Sequence, residues 1–255
     1  MNDIHPSAVI DPKAELEGVT VGPLCVVGAG VRIARGTRLV SQVYIEGDTE
    51  IDEDNIIYPF VSIGAPPERM IHSDAPGRVR IGKKNQLRES VTVHRGSAES
   101  ETRIGNHCLL MAYVHVSHDC RLGNFVCLIN GVQLAGHVEV DDLATISAMT
   151  GVHQYCRIGA RAFIGACSAL LLDAPPFCVA EGRRAEIIGV NQTSLSRSGF
   201  DKERIAAIRR AYKTYFTTGT SKDERLAAIE RDATPDVQLF ADFVRASKRG
   251  VMFPR

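Results

Sequence analysis

The sequence predicts a mainly β protein, a parallel β-helix over residues 1–190, followed by a small α-helical domain over residues 191–255. Aliphatic residues recur at every sixth position, glycine often follows them, and the period stops near Asn191, where helical spacing begins. A period of six fits neither an amphipathic helix nor a two-faced strand. It is typical of a solenoid in which each hexad makes a short strand and a turn.

The longest series of aliphatic residues begins at position 104 and has twelve members: Ile104, Leu110, Val116, Leu122, Leu128, Leu134, Val140, Ile146, Val152, Ile158, Ile164 and Leu170. Two shorter series precede it, over 4–63 with one five-residue step after Leu16, and over 81–93. Aliphatic residues make up roughly a quarter of an average protein, so chance does not explain such a run. We expect the glycines to ease the turns by allowing unusual backbone angles.

Two stretches interrupt the period and are predicted to be loops that leave the coil. Residues 65–80 carry prolines and charges, and residues 96–103 are mostly small and polar. Long loops in a compact repeat often carry function.

In the last part of the chain, the spacing of apolar residues and the N-cap residues predict three helices. Residues 201–216 have apolar residues at helical spacing, with Asp201 as the expected N-cap. Ser221 and Thr234 are the expected caps of two further helices, and Pro235 follows in the first turn of the last one. We expect these helices to close one open end of the solenoid.

Composition narrows the classes of function. The chain has 30 basic and 30 acidic residues, so it has no net charge to attract nucleic acid or a membrane surface. Its first residues lack a basic region followed by an apolar core, and no apolar run approaches the ~20 residues of a membrane span. Seven cysteines without a CxxC pair favour a reduced setting. We therefore expect a cytoplasmic protein without a signal peptide or an integral membrane segment.

Histidines cluster when the sequence is placed on a coil of three hexads, in which residues 18 apart stack at ~4.8 Å. His118 then lies beside Gly136 and His137 of the next coil, with His153 one coil further. His115 precedes them on the same edge. Four histidines on one edge indicate a functional site rather than an accident of composition.

Two chemistries fit this edge. Zinc requires three or four converging ligands, and Cys120 would share the face of His118 on a straight strand. No convincing ligand set is completed, so we expect no metal. Alternatively, a histidine accepts a proton from a hydroxyl that attacks a thioester, while the bare N–H of Gly136 stabilises the oxyanion. Asp119 orients the imidazole of His118 only if the chain turns there, because neighbours on a strand face opposite ways.

Several longer segments resemble the UDP-N-acetylglucosamine O-acyltransferase family of lipid A synthesis. They are LRESVTVHRG (87–96), NHCLLMAYVHVSHDCRLGN (106–124), LAGHVEVDDLATISAMTGVHQYCRIGA (134–160), GVNQTSLSRSGF (189–200) and IRRAYK (208–213). The resemblance runs nearly end to end. It implies a left-handed β-helix and a homotrimer with each site in a cleft between neighbouring β-helices. It also implies transfer of a 3-hydroxyacyl chain from acyl carrier protein to the sugar 3-hydroxyl of the UDP-sugar. No metal or bound cofactor is implied, because the thioester is already activated.

The resemblance also implies roles for individual residues. His118 would be the general base, Asp119 would support it, and the N–H of Gly136 would stabilise the oxyanion. The residues that would line the sugar and acyl site are His115, His137, His153 and Gln154. Asn191 and Arg197 lie where the family contacts the nucleotide or the phosphopantetheine. Each of these residues also has a purely structural alternative: Asp119 would cap a turn, and Arg197 would be a surface charge.

The chain departs from the family pattern at two places. In the first loop, Arg69 replaces an aspartate that touches the sugar, and Ile71 replaces a lysine. Inverting a charge in a sugar pocket leaves three acceptors open: the usual sugar bound differently, an amino-sugar variant, and another nucleotide sugar. Ala166 replaces a glycine that lets a long chain pass in some members, so its methyl predicts a shorter acyl chain.

Other functions remain open at this level. One is an acyltransferase of the same fold that uses acyl-CoA or forms an amide. Another is a non-catalytic hexapeptide scaffold, which would make the histidine edge dispensable. A γ-class carbonic anhydrase is the third.

Overall fold

The computed structural model describes residues 1–68, 76–217, 221–232 and 234–255. Within these residues the chain forms a coil of short strands, followed by a hairpin and four helices. Each turn of the coil contributes one strand to each of three sheets, and the coil winds left-handed. The predicted fold class is confirmed.

The first four coils and part of the fifth contain β1 (Asp3–Ile4), β2 (Val9–Ile10), β3 (Glu15–Leu16), β4 (Thr20–Val21), β5 (Val26–Val27), β6 (Val31–Ile33), β7 (Arg38–Leu39), β8 (Tyr44–Ile45), β9 (Asp48–Ile51), β10 (Ile56–Ile57), β11 (Ser62–Ala65), β12 (Arg78–Ile81), β13 (Gln86–Leu87) and β14 (Thr92–His94). The remaining strands are β15 (Glu101–Ile104), β16 (Leu109–Leu110), β17 (His115–Val116), β18 (Arg121–Leu122), β19 (Cys127–Leu128), β20 (Gln133–Leu134), β21 (Glu139–Val140), β22 (Thr145–Ile146), β23 (Gly151–Val152), β24 (Arg157–Ile158), β25 (Phe163–Ile164), β26 (Ala169–Leu170), β27 (Cys178–Glu181) and β28 (Glu186–Val190).

Three parallel sheets run along the coil. The first sheet has the order β1-β4-β7-β10-β13-β16-β19-β22-β25-β27-β28, and the second has the order β2-β5-β8-β11-β14-β17-β20-β23-β26. The third has the order β3-β6-β9-β12-β15-β18-β21-β24. The pairing of β27 with β28 is antiparallel and ends the coil.

Strand pairing gives the register that the sequence predicted. Leu110 pairs with Leu128, and Leu128 pairs with Ile146, each 18 positions further on. The five-residue step after Leu16 appears as the pairing of Ile4 with Val21, 17 positions apart. All twelve aliphatic residues of the long series are buried, with at most 3% of each exposed. The period of six is therefore the row of side chains that fills the coil.

Three corners connect the sheets, and in the sixth coil each consists of four residues. The first corner, from the first sheet to the second, is 111–114, the second corner is 117–120, and the third corner is 123–126. Both interruptions of the period leave from the second corner. One lies between Ala65 and Arg78 in the fourth coil, and the other lies between His94 and Glu101 in the fifth.

The expected role of the glycines that follow aliphatic residues is wrong at most positions. Gly22, Gly82 and Gly105 do not have positive φ angles, but an added Cβ would collide with the neighbouring coil. At Gly105 that Cβ would lie 2.3 Å from the carbonyl oxygen of Gly123. Positive φ falls instead on non-glycine corner residues such as His107 and Asp119. These glycines therefore allow close approach of two backbones rather than an unusual turn.

A short polar ladder crosses the buried interior at the third corner. The Asn55 and Asn85 side chains are fully buried. The Asn85 amide donates to the carbonyls of Gly82 and Gly105 at 3.0 Å, and its oxygen accepts from the N–H of Cys108 at 2.7 Å. Asn85 thus satisfies backbone groups of two coils that no strand pairing satisfies.

The helices are α1 (Gln192–Arg197), α2 (Lys202–Thr217), α3 (Lys222–Ile229) and α4 (Pro235–Ala246). The predicted caps Asp201 and Ser221 accept backbone hydrogen bonds, and Ser221 completes a capping box with Glu224. Thr234 occupies the N-cap of α4 but makes no side-chain cap bond. None of the helices that the structure describes combines the length and the apolar composition needed to cross a bilayer.

The C-terminal segment closes the last coil. The N–H of Asp173 donates to Gly250, the N–H of Met252 donates to Asp173, and the Tyr212 hydroxyl donates to the Pro176 carbonyl. The opposite end stays open, since Ile4 is 40% exposed. The helical domain therefore caps one end of the solenoid, as expected.

Replacing Asn85 with alanine should lower the free energy of unfolding by about 2 kcal/mol, because it leaves the Gly105 carbonyl and the Cys108 N–H buried without partners, while the Gly82 carbonyl keeps the Asn55 amide. Gln86→Ala is the matched control, since Gln86 is the next residue and faces outward. Denaturant unfolding followed by circular dichroism measures both. Equal stability of the two variants would contradict the role of the ladder.

Candidate functional site

The predicted histidine edge is the second corner of three successive coils. His118 and Asp119 lie at this corner in the sixth coil, Gly136 and His137 in the seventh, and Gln154 in the eighth. The loops of the fourth and fifth coils leave from the same corner. Successive coils therefore bring together side chains that are far apart in the sequence.

His118 is held by its sequence neighbour. Its Nδ1 lies 2.6 Å from Oδ2 of Asp119, and its side chain is 13% exposed. The contact requires the turn that we expected, and Asp119 indeed has a φ of 63°. A carboxylate only accepts, so Nδ1 carries the proton and Nε2 is left as the basic nitrogen.

Asp119 is a buried carboxylate with several donors. The N–H of Ser97 donates to Oδ1 at 2.9 Å, and the Ser97 hydroxyl donates to Oδ2 at 2.7 Å. The backbone N–H of Asp119 donates to the Thr102 hydroxyl at 2.8 Å. Burial would raise the pKa of this carboxyl, but hydrogen bonds from Ser97 and His118 outweigh it and lower the pKa to about 2. Asp119 is therefore ionised at neutral pH.

Gly136 packs directly on the His118 ring. A Cβ at this position would lie 2.5 Å from Cε1 and 2.8 Å from Nε2 of His118, so a larger residue would displace the imidazole. Within the described part of the chain, the Gly136 N–H donates to no backbone carbonyl, whereas the N–H of His137 donates to the His118 carbonyl at 3.0 Å. Gly136 thus offers a backbone donor beside the basic nitrogen of His118.

His137 extends the site toward the next coil. Its Nε2 lies 3.3 Å from Oδ2 of Asp119, and its ring meets the His118 ring edge-on at 5.2 Å. The Tyr155 ring stacks on the other side of His137 at 4.5 Å. Asp119, His137 and Tyr155 occupy equivalent positions of three coils, and all have positive φ.

His115 lies on the second sheet beside the same corner. Its Nδ1 is 2.8 Å from the Thr92 hydroxyl, its ring is 4.9 Å from the His94 ring, and its Nε2 is 4.0 Å from a Glu68 carboxylate oxygen. Burial and the nearby His94 lower the pKa of His115. Burial also lowers the pKa of His94, which favours neutral imidazoles in this part of the site.

The other predicted residues divide into two groups. His153 and Gln154 are exposed at the second corner, with His153 Nδ1 3.1 Å from the Gln154 carbonyl. Ala166 is exposed at the first corner of the ninth coil, and Asn191 caps α1 while donating to the Arg161 carbonyl at 3.1 Å. The exposed Arg197 lies at the end of α1. Within one chain, these last three residues are not at the second corner.

Two further predicted positions lie outside the described residues. Arg69 and Ile71 fall in the segment 69–75 of the first loop.

The expected position of Cys120 is wrong. The positive φ at Asp119 breaks the strand alternation, so Cys120 points into the core, where its thiol donates to the Ala135 carbonyl at 3.1 Å. Burial raises the pKa of this thiol to about 12, which disfavours the thiolate that zinc binds.

Ligand atoms do lie within 4.8 Å of one another in two described groups, Glu68-His94-His115 and His118-Asp119-His137. In the second group, the hydrogen bond between His118 and Asp119 accounts for the short distance. Our expectation that no metal is needed stays a prediction.

Sequence reasoning missed several residues that contact the site, among them Ser97, Thr102 and Tyr155. Tyr155 was within reach of the 18-residue register, because it is 18 positions after His137. Ser97 and Thr102 lie in or beside the second loop, where the period gives no register.

Comparison with known proteins places the chain among acyltransferases. A family model described as UDP-N-acetylglucosamine O-acyltransferase, domain 2, matches residues 173–252. An acyl-acyl carrier protein–UDP-N-acetylglucosamine O-acyltransferase from Thermodesulfovibrio yellowstonii is 43% identical over 98% of this chain and 99% of its own length. One of the same name from Halorhodospira halophila is 44% identical over 99% of this chain and 100% of its own length.

Solved structures of proteins with the same family name share the fold of this chain. The UDP-N-acetylglucosamine O-acyltransferase from Moraxella catarrhalis superposes with a TM-score of 0.94 at 36% identity, covering 98% of this chain and 99% of its own. The UDP-N-acetylglucosamine acyltransferase from Francisella novicida gives 0.93 at 34% identity, covering 98% and 94%. Identity above 40% over nearly the full length of both chains, together with a shared fold, leaves one conclusion. The chain belongs to the UDP-N-acetylglucosamine O-acyltransferase family.

Proposed function

We propose that this protein transfers a 3-hydroxyacyl chain from acyl carrier protein to the sugar 3-hydroxyl of UDP-N-acetylglucosamine, the acylation that begins lipid A synthesis. The arrangement of His118, Asp119 and Gly136 at the second corner carries the proposal. It combines a base of defined tautomer with a backbone donor beside it. The names of the relatives supply the substrates.

The reaction follows from this arrangement. Nε2 of His118 takes the proton of the sugar hydroxyl as its oxygen attacks the thioester carbonyl carbon. Negative charge develops on the carbonyl oxygen, where the Gly136 N–H donates a hydrogen bond. The C–S bond then breaks, and the departing thiolate takes the proton from His118. Asp119 stays ionised and stabilises the imidazolium that forms in between.

The neighbouring side chains supply binding groups. His115, His137, His153 and Gln154 lie along the second corner and its adjoining strand, within reach of a sugar or the first part of an acyl chain. No metal or cofactor enters the proposed reaction, since the thioester provides the activated acyl group. We place the protein in the cytoplasm, because its seven cysteines are free and the cytoplasm keeps thiols reduced.

The replacement of the family's aspartate by Arg69 supports a second proposal for the acceptor substrate. An arginine in place of an acid suits a phosphate or an acidic group better than a sugar hydroxyl. The alternative is therefore a related acyltransferase acting on another nucleotide sugar or on an amino sugar, with acyl carrier protein or acyl-CoA as donor.

We also propose a homotrimer with a site between subunits. Exposed apolar side chains form a row along the first corner, with one in every second coil: Leu24, Phe60, Tyr113 and Met149. Ala166 lies at the same corner, whereas His118 lies at the second. A ring in which the first corner of one copy meets the second corner of the next covers the apolar row and brings Ala166 to the acyl site.

The first test is acyl transfer with 3-hydroxyacyl carrier proteins of several lengths, offered with UDP-N-acetylglucosamine, its 3-amino analogue and other nucleotide sugars. We expect product with UDP-N-acetylglucosamine and a loss of about 100-fold or more in His118→Ala, the range of general-base catalysis. His107→Ala is the matched control, because His107 lies at the third corner.

Two results would change the proposal. Product with another acceptor alone would favour the alternative specificity, and equal activity of His118→Ala and wild type would favour the scaffold.

Ala166→Gly should shift the preferred donor toward longer chains, because it removes a methyl from the proposed acyl path. Donor profiling with the same series measures the shift. Ala34→Gly makes the same change at the third corner and should leave the profile unaltered. An unchanged preference in Ala166→Gly would rule out this residue as the length determinant.

Light scattering should give about three times the chain mass of 27.8 kDa. Tyr113→Lys combined with Met149→Lys places charges in the apolar row and should shift the distribution to smaller species. Leu143→Lys, at the third corner, is the control and should leave the mass unchanged. A wild-type mass of one chain would contradict the trimer.

A further inference from the structure

The loop of the fifth coil reaches the functional site through two serines, Ser97 and Ser100, which both bind Asp119, and the contacts of Ser97 lower the pKa of this carboxyl more than that of Ser100. Ser97 donates its N–H to Oδ1 of Asp119 at 2.9 Å and its hydroxyl to Oδ2 at 2.7 Å. Both oxygens of one carboxylate are thus bound by one residue of the preceding coil. Asp119 in turn contacts Nδ1 of His118 through Oδ2.

We propose that Ser97 is a positioning residue for acyl transfer, which sets the plane of the Asp119 carboxylate and thereby the orientation of His118. The inference rests on the proposed function, in which Nε2 of His118 accepts the proton. Ser97 lies behind Asp119 in this arrangement and touches neither reacting group.

The argument begins with the freedom of an aspartate side chain. The last torsion of aspartate is broad and roughly two-fold, so the backbone alone does not fix the carboxylate plane. Two donors from one residue, one to each oxygen, do fix it. The Asp119 side chain is only 3% exposed, so water has little access to replace either donor.

A second imidazole makes the orientation matter. Oδ2 of Asp119 lies 2.6 Å from Nδ1 of His118 and 3.3 Å from Nε2 of His137. A small rotation of the carboxylate would strengthen the contact with His137 at the expense of His118. The hydroxyl of Ser97 opposes that rotation because it binds the same Oδ2. Ser97 therefore selects which histidine the carboxylate orients.

A purely structural role for Ser97 predicts something different. The carbonyl of Ser97 accepts from the N–H of Ser100 at 3.1 Å, which closes the loop on itself. Ser97→Ala keeps this bond and the N–H donated to Asp119, and removes only the hydroxyl. The variant should therefore fold and keep its loop, so changes at His118 report positioning.

The test compares Ser97→Ala, Ser97→Thr and Glu99→Gln in the full-length protein, with thermal unfolding to check that each is folded. Glu99 is exposed in the same loop and has no hydrogen bond or ion pair to any described residue, so Glu99→Gln is the matched control. We expect Ser97→Ala to lower kcat about tenfold with little change in the KM of the acceptor, as for loss of a hydrogen bond to a charged group. Ser97→Thr keeps a hydroxyl and should restore kcat.

A spectroscopic readout separates positioning from general damage. The proton between Nδ1 of His118 and Asp119 should give a far-downfield signal in the NMR spectrum of protein with labelled histidine. We expect this signal to move upfield or vanish in Ser97→Ala and to persist in Ser97→Thr and Glu99→Gln.

Three results would overturn the inference: an unchanged kcat in Ser97→Ala, an equal loss in Ser97→Thr, or an unchanged downfield signal in Ser97→Ala. The NMR comparison does not need turnover. If wild-type protein transfers no acyl group to any acceptor, the proposed function fails, and a signal that depends on the Ser97 hydroxyl still establishes that Ser97 positions the Asp119–His118 pair.

Discussion

The hydrogen-bonded register between successive coils is the constraint on which the structure depends. Each coil pairs with the next along three sheets, with equivalent residues 18 positions apart in the uninterrupted part. Because the coils approach as closely as neighbouring strands, a Cβ at Gly105 would collide with the backbone of the next coil, and a Cβ at Gly136 would collide with the His118 ring. The same register that excludes a side chain at Gly136 also sets its N–H beside the His118 ring. Packing and chemistry at the site therefore have one cause.

The charge at the site is determined by the Asp119 carboxylate, which is buried but accepts several hydrogen bonds. Burial alone would raise the pKa of Asp119, yet hydrogen bonds lower it to about 2. A folded-state pKa below the ordinary value of about 3.9 means that the charged form is stabilised in the folded protein. That contribution to stability is present above the unfolded pKa and is lost as the pH falls through about 2. At neutral pH the site thus contains a permanent negative charge next to His118.

Much of the fold could be predicted from the sequence, because one inward-facing residue in each hexad gives a period of six that neither a helix nor a two-faced strand produces. The position of His118 beside Gly136 followed from the same arithmetic. The contacts of Ser97 could not be predicted, since its loop lies outside the repeat and loop geometry depends on tertiary contacts. Cys120 was misplaced because strand alternation was applied across a corner, where the positive φ of Asp119 reverses it. The glycines were misread for a related reason, since the left-handed positions fall on His107, Asp119 and their equivalents instead.

The two ends of the solenoid differ in how they are covered, and this difference determines which end opens first. The last coil is fastened by the C-terminal segment, through bonds such as that from Met252 to Asp173, while Ile4 in the first coil stays 40% exposed. In a repeat protein each unit is stabilised mainly by its neighbours, so opening spreads inward from the least supported unit. Fraying then starts at the N-terminal coil and must pass five coils before it reaches His118 in the sixth. Local opening of the first coils therefore leaves the site folded, because five coils separate it from the end of the chain that opens most easily.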